Sequence, residues 1–139
     1  MLGHADIACF CIQNGEETLM GSMLVQMTHG PDNPTPTAVG CLVALAACDE
    51  GHQVTLFFVG ESVHFMKDQV MNSTETPGLG SLSENVLDLV AKGVPILVSR
   101  ASSSTRGVTE GDLGSKQARF ATPKELVEQA FSADRVITY

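Results

Sequence analysis

The residues of this sequence that could do chemistry lie in three short segments, each of which follows an apolar run. The segments cover residues 28–32 (THGPD), 60–62 (GES) and 99–107 (SRASSSTRG). They bring imidazole, carboxylate, hydroxyl and guanidinium groups into or next to the ends of these runs. The candidate ligand-binding residues are therefore His29, Gly30, Asp32, Gly60, Glu61, Ser99, Arg100, Ser102 and Arg106, together with His64 just beyond the second segment.

The third segment has the composition of an anion-binding loop. Arg100 and Arg106 flank a run of small residues, which let backbone N–H groups approach a ligand. Thr109 and Asp112 could cap a following short helix, whose N-terminus also favours negative charge. The segment contains no strong nucleophile, so we expect it to bind a small anion through the arginines, with Ser99 mattering far less. The alternative is a solvated connection with two exposed arginines.

Two of the four histidines allow two interpretations each. His29 could act as an acid–base group because the pKa of imidazole lies near neutrality, or it could hydrogen-bond the Gly-Pro turn beside it. His64 is either functional or half-buried in a short helix. Asp32 fits a turn or helix cap better than a catalyst, and His52 looks structural because it follows a helix-ending glycine.

Several kinds of site are excluded by their missing motifs. The sequence has no G-x-G-x-x-G after its first regular strand, no G-x-x-x-x-G-K-[ST] and no G-x-S-x-G. Dinucleotide sites, Walker-type phosphate loops and nucleophile elbows are therefore unsupported. Cys9 and Cys11 form a C-x-C, but no second cysteine pair or histidine follows at zinc spacing. The sequence implies no metal and no cofactor.

Apolar runs alternate with helical patterns along most of the chain. Strands are predicted in MLVQMT, HQVTLFFVG, VPILVS and DRVITY, with a weaker one in KQARFA. A helix is predicted over AVGCLVALAACDE, ending at Gly51, and a short one over ESVHFMKD. Two more helices are predicted to begin after Ser81 and after Thr122. Three residues after each of them stands a glutamate, Glu84 or Glu125, which is the spacing of a capping box.

This alternation predicts a three-layer α/β/α sandwich around an approximately five-stranded parallel sheet. In such sheets ligands bind outside the carboxyl ends of the strands. The three candidate segments all follow strands, so we expect them to converge there. The regular domain covers residues 23–139. Residues 1–22 are interpreted as an N-terminal extension, either loose or a mis-assigned start and dispensable for folding; the alternative is a short extra strand over residues 7–12.

Charge and hydropathy exclude two classes of partner. The chain has 139 residues, 8 basic and 16 acidic, with a net charge of −8 and no basic cluster. Nucleic acids and acidic membrane surfaces are therefore not expected as partners. No apolar run approaches the roughly 20 residues of a membrane span, and no basic segment precedes the apolar start. These features predict a cytoplasmic protein with reduced cysteines.

The first predicted helix carries no charged residue from Ala38 to Cys48. A helix on one face of a sheet normally has a polar outer side, so another subunit is expected to cover this one. Cys41 and Cys48 lie two turns apart on one face of the helix. They are either buried small hydrophobic residues or, if that face reaches solvent, relay cysteines.

The order of these blocks resembles the DsrE/DsrF-like family. The resemblance rests on LVQMTHGPDNPT, ALAACDEGHQVTLFFVGESVHFM, AKGVPILVS, RGVTEGDL and ADRVITY, and covers residues 23–139. It implies a five-stranded parallel sheet, a trimeric or hexameric assembly and, in active subunits, a persulfide-carrying cysteine after the VPILV strand. In many relatives that cysteine stands where this chain has Ser99. A serine hydroxyl cannot replace it, because its pKa is too high and an O–S linkage does not store transferable sulfur.

The resemblance therefore implies an accessory or non-catalytic sulfur-relay-like subunit, which binds a small anion or a loop of a sulfur-relay partner. One alternative is a sulfurtransferase that carries its persulfide on a non-standard cysteine: Cys41, Cys48, Cys9 or Cys11. The other is an oligomeric scaffold without a ligand.

Overall fold

The computed structural model describes residues 9–13 and 16–139, with side chains from Met20 onward. Seven strands are present in this part: β1 Cys9–Gln13, β2 Glu16–Met20, β3 Ser22–Met27, β4 Gln53–Phe58, β5 Ile96–Ser99, β6 Ala118–Ala121 and β7 Arg135–Thr138. The α-helices are α1 Thr35–Asp49, α2 Asp68–Ser73, α3 Leu82–Ala91, α4 Arg100–Thr105, α5 Glu110–Leu113 and α6 Pro123–Ser132. Two 3-10 helices cover Gly60–Met66 and Gly114–Lys116.

Strands β3 to β7 form one parallel sheet in the order β6-β5-β4-β3-β7, with helices on both faces. The predicted three-layer fold with a five-stranded parallel sheet is confirmed. The central strands are near-continuous apolar runs, as expected where both faces of a parallel strand are buried. No helix in the described part of the chain is both long and apolar enough to cross a membrane.

The helix signals of the sequence coincide with real helix ends. Ser81 Oγ accepts a hydrogen bond from Glu84 N at the start of α3. Thr122 Oγ1 does the same for Glu125 N at the start of α6. Gly51 follows α1 with φ of 89°, a left-handed conformation that suits glycine. Helix α1 begins at Thr35, three residues before its predicted start, because proline is tolerated in the first turn of a helix.

The two faces of the sheet are covered unequally. One face carries the main core, in which α1 and α3 pack on residues such as Val25, Leu56 and Val98. On the other face, α6 covers Leu24, Phe57, Leu97 and Ala121. Helix α6 has no fully buried residue, so this second layer is thin.

The segment before the sheet contains an antiparallel hairpin of β1 and β2. The interpretation of residues 1–22 as a loose extension did not include this pairing. The alternative strand over residues 7–12 overlaps β1, although residues 1–8 lie outside the described part. Gly21 alone separates β2 from β3, so the hairpin directly precedes the first strand of the parallel sheet. That the domain folds without it stays a prediction.

Candidate functional site

Hydrogen bonds and one close backbone contact join the segments that follow β3, β4 and β5. Ser62 Oγ donates to Met27 O over 2.7 Å. Gly60 N donates to Ser102 Oγ over 2.9 Å, which ties the segment after β4 to α4. Gly30 packs so tightly that a Cβ there would lie 2.5 Å from Glu61 O. The carboxyl edge of the sheet is therefore one connected structure.

A cavity of about 850 Å³ opens at this edge. Five of the candidate residues line it: His29, Gly30, Asp32, Glu61 and His64. Its opposite wall is the end of α2 and the residues that follow, which the sequence did not single out. That wall consists of Val70, Ser73, Thr74 and Glu75. Among the residues that the structure describes, no lysine or arginine lines the cavity.

Glu61 is the residue that connects the cavity to α4. Its Oε1 accepts hydrogen bonds from Arg106 Nη2 at 2.6 Å and Arg106 Nε at 2.9 Å. Its Oε2 lies 3.3 Å from His64 Nε2. The hydrogen bond from Arg106 holds the pKa of Glu61 below its usual value, so the carboxylate is charged at neutral pH. Arg106 is thereby paired and orients Glu61 toward His64.

The segment of residues 99–107 is a helix over most of its length, which corrects its interpretation as a loop. Ser99 caps α4, because its Oγ accepts a hydrogen bond from Ser102 N over 3.1 Å. Arg100 lies over the ring of Phe120, 4.8 Å from its centroid. The two arginines thus contact different elements, Phe120 on β6 and Glu61 after β4. Ser102, which bonds Gly60, is a structural link between segments.

The predicted helix cap after this segment is present. Thr109 N donates to Asp112 Oδ2 over 2.8 Å at the start of α5. This bond also holds the pKa of Asp112 below its usual value. His52 Nδ1 accepts a hydrogen bond from Gly21 N over 2.9 Å, a contact that fits the structural role predicted for it. Neither feature contributes to the cavity at the carboxyl edge.

Sequence comparison assigns the domain. The model of the DsrE/DsrF-like family matches residues 21–139. The chain belongs to this family. The crystal structure of the ychN protein from E. coli is similar, with a TM-score of 0.67 and 20% identity over 86% of this chain and all of that one. A conserved protein of unknown function, BT1422 from Bacteroides thetaiotaomicron, gives a TM-score of 0.64 and 12% identity over 86% of this chain and 95% of that one. No curated protein matches the chain.

In this DsrE-family chain, Ser99, the last residue of β5, stands at the position where the resemblance implies a cysteine. Ser99 is 7% exposed, and its hydroxyl is committed to capping α4. Besides Pro31, Pro34 and Val70, the cavity is lined by imidazole, carboxylate, hydroxyl and amide side chains, which can hold hydrogen-bonding or cationic groups. In the described part of the chain, no group of three or more His, Cys, Asp or Glu residues is arranged to hold a metal ion.

The cysteines with described side chains lie away from the cavity. Cys41 is completely buried in the core, and burial raises the pKa of its thiol to about 12. Cys48 is half-buried, and burial also raises its pKa, although the charge of Lys92 opposes this. Cys48 lines a second cavity of about 590 Å³ at the amino ends of β4 and β5. Cys9 and Cys11 lie in β1, and their side chains are outside the described part.

The two helix cysteines are expected to react very differently with a thiol reagent. In a Cys9→Ser, Cys11→Ser background, Cys48 should react with a chromogenic disulfide in the native state, whereas Cys41 should react only after unfolding. The Cys41 thiol is protonated and has no access to solvent. A time course with and without denaturant measures both. Equal native rates for the two thiols would contradict the packing of α1.

Burial of Cys41 also predicts a pH dependence of stability. The pKa of its thiol is about 12 in the folded state, against 9.0 as the reference value. A raised folded pKa means that the stabilisation is full below pH 9 and is lost as pH rises toward 12. A Cys41→Ala variant should show a flatter decline over this range in denaturant titrations.

Proposed function

We propose that this DsrE-family chain is a non-catalytic, accessory subunit of a sulfur-relay-like system, and that its carboxyl-edge cavity binds a loop of a partner protein. One observation carries the proposal: a cavity opens at the carboxyl edge, yet the last residue of β5 is Ser99, whose hydroxyl caps α4. A serine in that state cannot accept and pass on sulfane sulfur. Binding of a ligand, without transfer of sulfur, is therefore the activity that this edge of the sheet supports.

The charges of the site favour a partner loop over a small anion. Asp32, Glu61 and Glu75 line the cavity without a lysine or arginine among the lining residues. Arg106 is already paired with Glu61, and Arg100 lies against Phe120. An anion at the arginines would have to break the Glu61–Arg106 pair. A loop that offers N–H or cationic groups would meet the carboxylates and imidazoles as they stand.

This proposal predicts which variants lose binding. Peptides that copy surface loops of sulfur-relay proteins from the same genome are titrated calorimetrically against the chain. Removing a charge-assisted contact costs about 1.5–3 kcal/mol, so Glu61→Ala should weaken peptide binding by roughly ten- to a hundredfold. The matched control is Asp88→Ala, since Asp88 is an exposed carboxylate of α3 outside the cavity.

The same titrations separate the two kinds of ligand. Sulfate, phosphate and thiosulfate should give no binding at millimolar levels, and Arg100→Ala should leave peptide binding unchanged. Anion binding that is lost in Arg100→Ala or Arg106→Ala would instead support the anion-binding interpretation of residues 99–107. A chain that binds neither peptides nor anions would be a scaffold without a ligand.

We also propose that copies of the chain associate through α1. Val39, Leu42 and Val43 are only partly buried on its outer side, and Ala46 is exposed. Leu45, by contrast, packs against the core. A helix with an uncharged outer side gains stability when a second apolar surface covers it.

Replacing Val43 with glutamate is expected to dissociate the assembly without unfolding the chain. Burying an unpaired carboxylate in an apolar interface is costly, whereas the half-buried position tolerates it in the monomer. Light scattering gives the mass, and circular dichroism reports folding. Leu87→Glu on α3, where Leu87 is 53% exposed, is the matched control and should keep the wild-type mass. A wild-type monomer at micromolar concentration would contradict the α1 interface.

A further inference from the structure

A β-hairpin precedes the family domain. Strands β1 and β2 pair antiparallel, with Phe10 opposite Leu19 and Ile12 opposite Glu17. The sequence between them is Asn14-Gly15, a dipeptide strongly favoured in two-residue hairpin turns. The family match begins at residue 21, so the hairpin is an addition to the common fold.

This hairpin needs a surface to pack on. A lone two-stranded hairpin is at best marginally stable in water. Among the described residues, the extensive packing of β1 and β2 is on each other. The sequence of β1, CFCIQ, is apolar except for its last residue, and β2, EETLM, ends in two apolar residues. Stable pairing therefore calls for apolar surface from outside the hairpin.

An apolar surface without cover lies on α6 and β7. Val127 and Phe131, one turn apart on α6, are 54% and 89% exposed, and Val136 on β7 is 49% exposed. Val136 is paired in register with Leu24, which lies beneath α6, so it belongs to the sheet face that α6 covers. We call these three residues the α6–β7 patch. Strand β7 is also the last strand of the sheet order, which leaves one of its sides open to a further strand.

The base of the hairpin is fixed beside this patch. Ser22 N donates to Asp134 Oδ2 over 2.8 Å, and Asp134 N donates to Ser22 O over 3.0 Å. Asp134 lies between Phe131 and Val136 in the chain. The base of the hairpin and the α6–β7 patch of one copy therefore both lie near Asp134. If a two-fold axis passes near Asp134, the hairpin of each copy has only a short distance to the patch of the other copy.

We propose that the hairpin of one copy packs on the α6–β7 patch of a second copy, and that the second copy returns the same contact. The fold of a single copy leaves Phe131 89% exposed, so the patch is open to another molecule. A second copy supplies one hairpin for each patch, so the exchange leaves neither uncovered. This contact is separate from the one through α1 and does not depend on what the carboxyl-edge cavity binds.

Cross-linking of the full chain tests the contact directly. The hairpin carries its own thiols, Cys9 and Cys11, and a second thiol is placed on the patch by Phe131→Cys. Val127→Cys is a second reporter that keeps Phe131 in place. A short bismaleimide is added to a mixture of isotope-labelled and unlabelled copies, and linked peptides are mapped by mass spectrometry. The control is Leu87→Cys on α3, because Leu87 is 53% exposed and thus matches Val127 at 54%.

The expected result is a set of mixed-isotope links between the hairpin cysteines and the introduced thiol. Both patch variants should give several-fold higher yields than Leu87→Cys. Equal yields in the control would overturn the proposal. So would links confined to single-isotope pairs, because these would show that the hairpin folds back onto its own α6.

Discussion

Replacing Lys116 with alanine is expected to lower the free energy of unfolding by about 3 kcal/mol. The side chain is 2% exposed although it ends in a charge. Its Nζ donates to Met66 O at 2.8 Å, to Asp68 Oδ1 at 2.5 Å and to Ser115 Oγ at 3.3 Å. The variant loses the buried stem and leaves the Met66 carbonyl without this donor. Urea titration at neutral pH measures the difference.

Two further variants separate the causes of this loss. Lys116→Met restores the apolar stem but not the donor, so it should recover roughly half of the stability. Lys124→Ala removes a lysine that is 86% exposed, and it should change stability by less than about 0.5 kcal/mol. If Lys116→Ala were as mild as Lys124→Ala, the buried ammonium would have no role in joining the segment before β6 to α2.

Acid dependence supplies a second check on the same pair. The hydrogen bond from Lys116 holds the pKa of Asp68 below its usual value. A lowered folded pKa means that the stabilisation is present above the unfolded pKa and is lost as pH falls through the folded one. The loss of stability on acidification should therefore be smaller in Lys116→Ala than in the wild type.

Replacing Gly30 with alanine is expected to cost about 1–3 kcal/mol and to remove ligand binding at the carboxyl edge. The added Cβ would lie 2.5 Å from the carbonyl oxygen of Glu61 and 2.9 Å from its carbonyl carbon. These are backbone atoms, so the segment after β4 must shift. That shift moves Glu61 away from Arg106 and His64 and deforms the cavity. Calorimetric peptide titration and thermal unfolding measure the two effects.

Gly111 provides the matched control for this substitution. It lies inside α5, and a Cβ there would meet Thr109 Oγ1 at an ordinary 3.7 Å. Gly111→Ala should leave peptide binding unchanged and keep or slightly raise stability, since alanine favours helix more than glycine does. A Gly30→Ala chain that binds peptides as well as Gly111→Ala does would show that the close Gly30–Glu61 contact is irrelevant to the site.

The sequence predicted those features that local patterns determine. Apolar runs in the sequence predicted the buried strands. Ser81 and Thr122, each three residues before a glutamate, predicted the starts of two helices. Together these signals predicted the layers of the fold and most boundaries of its strands and helices. The rule that parallel strands present their carboxyl ends at one edge placed His29, Glu61 and His64 on one cavity. None of these inferences required knowledge of contacts between distant residues.

What the sequence missed depends on tertiary contacts. Serine runs are weak helix formers, which favours a loop over residues 99–107. In the structure, the Ser99 cap and packing against the neighbouring 3-10 helix hold residues 100–105 in α4. The pairing of Arg106 with Glu61 joins residues 45 positions apart, and no local signal reports it. Residues 70 and 73–75 form a cavity wall only because α2 folds back over the edge. The hairpin, by contrast, did have a local signal in its Asn-Gly dipeptide.

The central claim is that this family member binds at its carboxyl edge but does not carry sulfur there, and sulfur loading tests it most directly. The full chain is incubated with a persulfide donor, and cyanide-releasable sulfur is quantified and mapped to individual cysteines by mass spectrometry. We predict no stoichiometric persulfide on Cys41, Cys48, Cys9 or Cys11, and a gain of loading when Ser99→Cys places a thiol at the end of β5. Stoichiometric, transferable persulfide on any native cysteine would contradict the account and identify a sulfurtransferase.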